Sequence, residues 1–114
     1  MKYMLLFYSD ESKEHATPEE AETIRAAFAA LLKDAKAAGV LESSGGLPTA
    51  TTTTVRVREG KTLVTDGPFA ETHEQLGGYF LLNCENLDEA IAWAKRVPFA
   101  QSGAVEIRPL WTPG

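Results

Sequence analysis

Cysteine is nearly absent: Cys84 is the only one in 114 residues. No internal disulfide can form, and no CxxC pair exists to hold zinc or exchange thiols, so a reducing cytoplasm is the expected setting. Long hydrophobic runs are absent too. The apolar stretch after Lys2 gives way to Asp10 and Glu11 without a cleavage pattern, and nowhere do about 18 apolar residues follow one another, so neither export nor a membrane span is expected. Positive charge is scarce, with 11 Lys and Arg against 16 Asp and Glu for a net charge of -5. Residues 1–60 hold 9 acids and 7 bases and residues 61–114 hold 7 acids and 4 bases. Neither half is basic, so direct nucleic-acid binding is not expected. Ser44-Gly45-Gly46 lacks the strand, glycine spacing and helix of a dinucleotide loop, and no GxxxxGK[ST] sequence occurs. The two histidines, His15 and His73, stand 58 positions apart, so neither a metal site nor a cofactor is expected.

What remains is an ordinary globular composition, 44% hydrophobic and 24% charged. It suits a single domain over residues 1–114 that buries about two thirds of its unfolded surface. Tyr3 to Tyr8 is apolar in both registers and reads as a strand. Thr17, Pro18 and Glu20 make a helix start, Ile24, Phe28, Leu31 and Ala35 recur at helical spacing, and Gly39 is a stop, which predicts a helix over 18–38. Val40 and Leu41 begin a short strand, after which Glu42 to Pro48 is expected to be irregular. Val55 and Val57 alternate with Arg56 and Arg58, Glu59-Gly60 turns the chain, and Leu63 to Thr65 return as the second arm of a hairpin. YFLLNC, from Tyr79, is a second strand apolar in both registers. Asn86 and Glu89 open a helix with Leu87, Ala90, Ile91 and Ala94 on its buried stripe, ended by Pro98. Val105 and Ile107 mark a last strand that Pro109 confines to an edge or takes as its terminal position.

Two successive strand–helix–strand units place both helices on one face of an antiparallel sheet. The expected fold class is therefore α+β, a ferredoxin-like plait. The second registers of the two apolar strands would then face water, and the expectation is a homodimer laid sheet against sheet, forming a dimeric α/β barrel around a cavity. The C-terminal segment is the alternative cover.

The run DGPFAETHEQLGGYFLLNC, with NLDEAIAWAKRVP and GAVEIRPL after it and MKYMLLFY and GVLESSGGLP before it, resembles the YCII-related, or DGPF-domain, family over nearly the whole chain. The resemblance is most specific at Asp66-Gly67-Pro68-Phe69, Glu71 and Glu74 to Gly78. It implies the same dimeric ferredoxin-like barrel. Relatives include bacterial polypeptides without an assigned reaction, forms associated with extracytoplasmic-function sigma factors and, in the wider superfamily, a lactone dehalogenase. The His and Asp pair associated with the wider group has no match around Leu41 to Ser44. The residue before Glu74, commonly Lys in the DGPF group, is His73 here.

Asp66 closes a strand beside Gly67-Pro68, where its carboxylate suits either acid–base chemistry in a cavity or a local turn contact. Glu71, His73 and Glu74 form a titratable cluster in which a carboxylate would orient the imidazole as a base, or else a solvated loop. Arg108 suits an anionic ligand or an ion pair with a buried carboxylate such as Glu106 of a neighbouring chain, and Tyr8 a phenolic hydrogen bond into a cavity or plain packing; Phe69 reads as a hydrophobic anchor. The candidate catalytic residues are thus Asp66 and His73, and the candidate ligand-binding residues Tyr8, Glu71, Glu74 and Arg108. The functional expectation is a protein that binds a small polar or anionic molecule and performs acid–base catalysis such as elimination or isomerisation. The alternative is a noncatalytic ligand-sensing or protein-interaction module associated with transcription regulation.

Overall fold

A computed structural model describes residues 1–13 and 16–111; His15 and residues 112–114, the end of the segment considered as a cover, lie outside the described residues. Strand β1 (Lys2–Ser9) alternates between Tyr3, Leu5, Phe7 and Ser9, which are buried, and Met4, Leu6 and Tyr8, which are half-buried. That period-2 pattern assigns the first set to the helix layer and the second to the opposite face of the sheet. Helix α1 (Pro18–Ala37) starts where its caps dictate. The Thr17 hydroxyl accepts from the Glu20 N–H at 3.1 Å, Pro18 takes the first turn, and Gly39 leaves the helix at φ +74°. Leu31 and Ala35 are buried on its inner stripe and Phe28 is half-buried, whereas Ile24 is exposed.

Strand β2 (Leu41–Gly46) occupies the stretch expected to be irregular. ESSGG has little strand propensity of its own, but it pairs along β5 (Gln75–Asn83) with Ser44 opposite Phe80 and Gly46 opposite Gly78. Ladder formation with an apolar neighbour overrides the local preference. The hairpin is β3 (Thr53–Arg58) and β4 (Lys61–Asp66), with Val55 opposite Val64. Its two-residue loop has Glu59 at φ +52° and Gly60 at φ +76°, the pair of positive angles that a type I′ turn needs. Helix α2 (Leu87–Ala94) is capped by Asn86, whose Oδ1 accepts from the Glu89 N–H at 2.9 Å. Ala90 and Ala94 are buried, but Leu87 and Ile91 of the expected stripe are exposed. Helix α2 ends at Ala94, four residues short of the expected stop at Pro98, which opens a short helix α3 (Phe99–Ser102). Strand β6 (Ala104–Pro109) follows as an edge, as Pro109 requires.

The main sheet has the order β2-β5-β1-β6, antiparallel throughout, and β3-β4 is a separate two-stranded sheet. Tyr3, Leu5, Phe7, Phe80 and Leu82 of the sheet pack on Leu31, Ala35, Ala90, Ala94 and Val97 to form the core. The expected dimeric α/β barrel is corrected by this arrangement. Both edges of the main sheet, β2 and β6, are open, the hairpin does not extend either of them, and no sheet closes among the described residues. The four strands of the main sheet do not close on themselves, since small closed barrels need about eight, tilted and staggered around the axis. The fold is a mixture of α and β with antiparallel sheets. Among the described residues no helix is long and apolar enough to cross a membrane.

The chain is less compact than its length suggests. Its radius of gyration is 16.2 Å against about 13 Å for a folded chain of this length. It exposes 8090 Å², where mass scaling gives about 6,100 Å². The hairpin accounts for much of this, since Val55, Val57, Leu63 and Val64 are all exposed on its two faces.

Cys84 is buried, and burial, helped by the nearby Glu89 carboxylate, raises its thiol pKa. Its thiolate fraction in the native protein is correspondingly small. Alkylation by iodoacetamide at mildly alkaline pH is expected to be at least about tenfold slower in the native protein than in urea. Equal rates would show that the thiol is accessible.

Candidate functional site

Thr53 to Arg58 form the outer strand of a hairpin paired only on its β4 side, so one backbone edge of β3 is left without a strand partner. That edge is one wall of an open-mouthed cleft of about 1080 Å³ whose other walls are the 68–76 loop and Tyr8. Gly67 sets the hairpin against the loop. At φ +96° it turns the chain where a side chain would be strained. Its N–H donates to the Thr52 carbonyl at 2.7 Å, and its own carbonyl accepts from the Thr54 hydroxyl at 2.6 Å. Farther along, Arg56 Nη2 donates to the Phe69 carbonyl at 3.0 Å. The loop holds itself by the Thr72 hydroxyl on the Glu74 carbonyl at 2.5 Å and the Gln75 side-chain amide on the Thr72 carbonyl at 2.7 Å.

Apolar groups from Leu47, Val55, Phe69 and Leu76 alternate in this cleft with a run of threonines. The threonine protons are largely committed: Thr49 donates to Glu11 Oε1 at 2.8 Å, Thr52 to the Thr49 carbonyl at 2.7 Å, and Thr54 to Gly67. The donors left for a ligand include the Tyr8 phenol, the Thr53 hydroxyl and the guanidinium groups of Arg56 and Arg58, each of which spends one N–H on a main-chain carbonyl, Phe69 for Arg56 and Val57 for Arg58. Among the described residues neither arginine is paired with a carboxylate. Among the described residues Glu74 is the one carboxylate on the cleft wall. A chain of net charge -5 thus presents a local excess of positive charge here.

Of the residues singled out in the sequence, Tyr8, Phe69 and Glu74 are brought together in the cleft, with Phe69 exposed rather than anchored in the core. The others are not. Asp66 ends β4 opposite Thr53 and is exposed, and no donor among the described residues reaches its carboxylate. Glu71 is exposed at the loop and does not line the cleft. His73 lies on a separate depression of about 220 Å³ with Asp10, Ser12 and Thr72. The Asp10 carboxyl is held below the ordinary aspartate range, first by the Ser12 hydroxyl at 2.5 Å and then by the Ser12 N–H, Lys13 and His73. Arg108 sits on β6 opposite Met4, with its Nε on Glu106 Oε1 at 2.6 Å. That hydrogen bond and the Glu106 charge raise its pKa, and they occupy the guanidinium in an ion pair. Three residues escaped the sequence reading: Arg56 and Arg58, whose alternation with valine signalled only a solvated strand face, and Asp10, which the fold brings near His73 across more than sixty residues. Among the described residues no three His, Cys, Asp or Glu side chains gather in a way that would hold a metal ion.

A relative from Rhizobium meliloti (strain 1021), itself named only as an uncharacterised protein, is 41% identical over 120 residues, covering 100% of this chain and 97% of its own. Among solved structures, the 5-chloro-2-hydroxyhydroquinone dehydrochlorinase TftG from Burkholderia phenoliruptrix AC1100, in complex with 2,5-dihydroxybenzoquinone, superposes with a TM-score of 0.50. It shares 14% identity, over 100% of this chain and 96% of that one, a likeness that extends to the fold. The model of the YCII-related domain matches residues 1–112. With strands, loop motif and length all inside that match, the chain belongs to the YCII-related domain family.

Proposed function

We propose that this protein binds a small anionic molecule with an apolar, ring-like body in the cleft between β3 and the 68–76 loop. The observation that carries the proposal is the pair Arg56 and Arg58, two guanidinium groups without carboxylate partners among the described residues, in a cleft with apolar walls. A TftG structure with a small cyclic ligand bound supports the capacity of such a fold to take one. An aromatic carboxylate matches both halves of the cleft, and benzoate is a simple probe. Titrated into isotope-labelled protein, benzoate is expected to shift the amide resonances of residues 51–58 and 69–76. Saturation with no shift in either segment would remove the site.

The proposal includes an acid–base step such as elimination or isomerisation, with Asp66 and His73 as the proton carriers flanking the cleft and Glu74 inside it. Asp66→Asn keeps a carbonyl acceptor but removes the ionised carboxylate. On an established substrate it is expected to lose at least about tenfold in turnover, equivalent to about 1.4 kcal/mol of transition-state stabilisation. Undiminished turnover in D66N would reject the role. The noncatalytic sensing module draws its support from Glu74 being the cleft's lone carboxylate among the described residues; saturable benzoate binding without turnover of any bound acid favours it.

The proposal also includes a homodimer. The chain's surface in excess of the scaling value, about 2,000 Å², exceeds the roughly 800 Å² per partner of an ordinary interface. An isolated two-stranded hairpin with valines on show is marginal in water. Sedimentation at low micromolar concentration is expected to give a species near twice 12.4 kDa. A concentration-independent monomer would contradict it.

A further inference from the structure

The helix side of the main sheet holds a second pocket, separate from the cleft, of about 340 Å³. We propose that it is a binding site for a small uncharged molecule with one aromatic ring and one hydrogen-bonding substituent. Its walls are four phenylalanines from four elements: Phe7 of β1, Phe28 of α1, Phe80 of β5 and Phe99 of α3. They present both edges and faces to one another. Phe7 and Phe80 meet edge to face at 4.9 Å, Phe28 and Phe99 likewise at 5.9 Å, and Phe7 and Phe99 stack at 5.7 Å. Among the described residues no charged side chain lines the pocket, so an ionised ligand would lose its hydration there without a partner. A single ring adds to such an aromatic set in the same offset or edge-to-face geometries.

The floor is made of glycine, and not every glycine there is needed by the fold. Gly77 is the extra residue of a β-bulge, between the Phe7–Gly78 and Tyr8–Leu76 pairs, and a Cβ on it would press on the Phe99 ring at 3.2 Å. A Cβ on Gly78 would stand 3.0 Å from the Gly45 carbonyl and 3.1 Å from the Phe7 ring. Those two glycines serve packing. Gly46 is different: its φ is not in the left-handed region, and a Cβ there would meet nothing within 4 Å. Neither backbone conformation nor crowding requires glycine at Gly46, and its missing side chain leaves the pocket open between β2 and the α1 residues Phe28 and Leu32. Protein interiors are otherwise close-packed. An apolar cavity of about 150 Å³ is enough to take benzene, so this one has room for a substituted ring. Ser44 lies two residues before Gly46 on the same face, opposite Phe80, and its hydroxyl is the polar side chain in the lining that can meet the substituent.

Phenol is the probe. Titrated into labelled protein, it is expected to shift the ring resonances of Phe28 and Phe99 and the amide of Gly46, leaving residues 51–58 unmoved, which separates this site from the benzoate cleft. Cyclohexanol, the same size without the ring, is expected to bind at least about fivefold more weakly. Gly46→Val adds a β-branched side chain to an edge strand, so its thermal midpoint is expected to hold or rise while phenol affinity falls at least about fivefold. If valine unsettles the edge, Gly46→Ala, whose methyl meets no neighbour, carries the same test with a smaller loss. Phenol that leaves the pocket resonances unmoved, equal binding of cyclohexanol, or wild-type affinity in the folded Gly46 variants would each overturn the site.

Discussion

Gly103→Ala is expected to destabilise the protein by about 3 kcal/mol or more, at the upper end of what a single overpacking substitution costs. Gly103 links α3 to β6, and a Cβ there would stand 1.9 Å from the Tyr8 carbonyl oxygen and 3.0 Å from Ser9 Cα. Both neighbours are backbone, fixed by the Tyr8–Ala104 pairing of β1 with β6, so no rotamer change can relieve the contact. Gly46→Ala is the matched control, expected to stay within about 0.5 kcal/mol of wild type. Urea unfolding of both proteins measures the difference. The contact also bears on function: Tyr8 is a wall of the cleft, and any shift of its backbone displaces the phenol. A Gly103→Ala protein as stable as the control would mean that β1 and the α3–β6 link do not approach this closely.

The double substitution R56Q/R58Q is expected to weaken benzoate binding at least about tenfold, or about 1.4 kcal/mol, with little change in stability. Glutamine keeps an amide donor and most of the side-chain length, so what it removes is the charge. Both arginines are exposed along β3, and exposed surface substitutions away from packed features stay within about 0.5 kcal/mol. Added salt is expected to weaken the wild-type protein's binding and leave the variant's nearly unchanged, because screening acts on charge pairs open to solvent. Undiminished affinity in R56Q/R58Q would separate the arginines from any ligand the cleft holds.

The elements easiest to read in the sequence carry their instructions locally. Thr17-Pro18 and Glu20 start α1, Asn86 and Glu89 start α2, and Glu59-Gly60 makes the hairpin turn; in each the deciding hydrogen bond or dihedral lies within four residues. β2 was legible only at its start, Leu41, and the rest of it was not, for the opposite reason. Ser43 to Gly46 become a strand only because β5 lies beside them, more than thirty residues later in the chain. The barrel expectation followed soundly from two strands apolar on both faces, but such a pattern says that a face is to be covered without saying what geometry covers it. The site divides in the same way. Tyr8 and Glu74 line the cleft, while Asp66, Glu71, His73 and Arg108 stand elsewhere. Arg56 and Arg58 were seen as the polar half of an alternating strand, and only the placement of the β3 edge against the 68–76 loop makes them a wall.

The central claim is that this cleft selects negative charge on an apolar body. Calorimetric titration of the wild-type protein with benzoate and with benzamide, its neutral counterpart of the same shape, tests it most directly. Benzoate is expected to bind at least about tenfold more tightly, with a preference that shrinks as salt is added. Equal affinities, or a preference for benzamide, would contradict the claim.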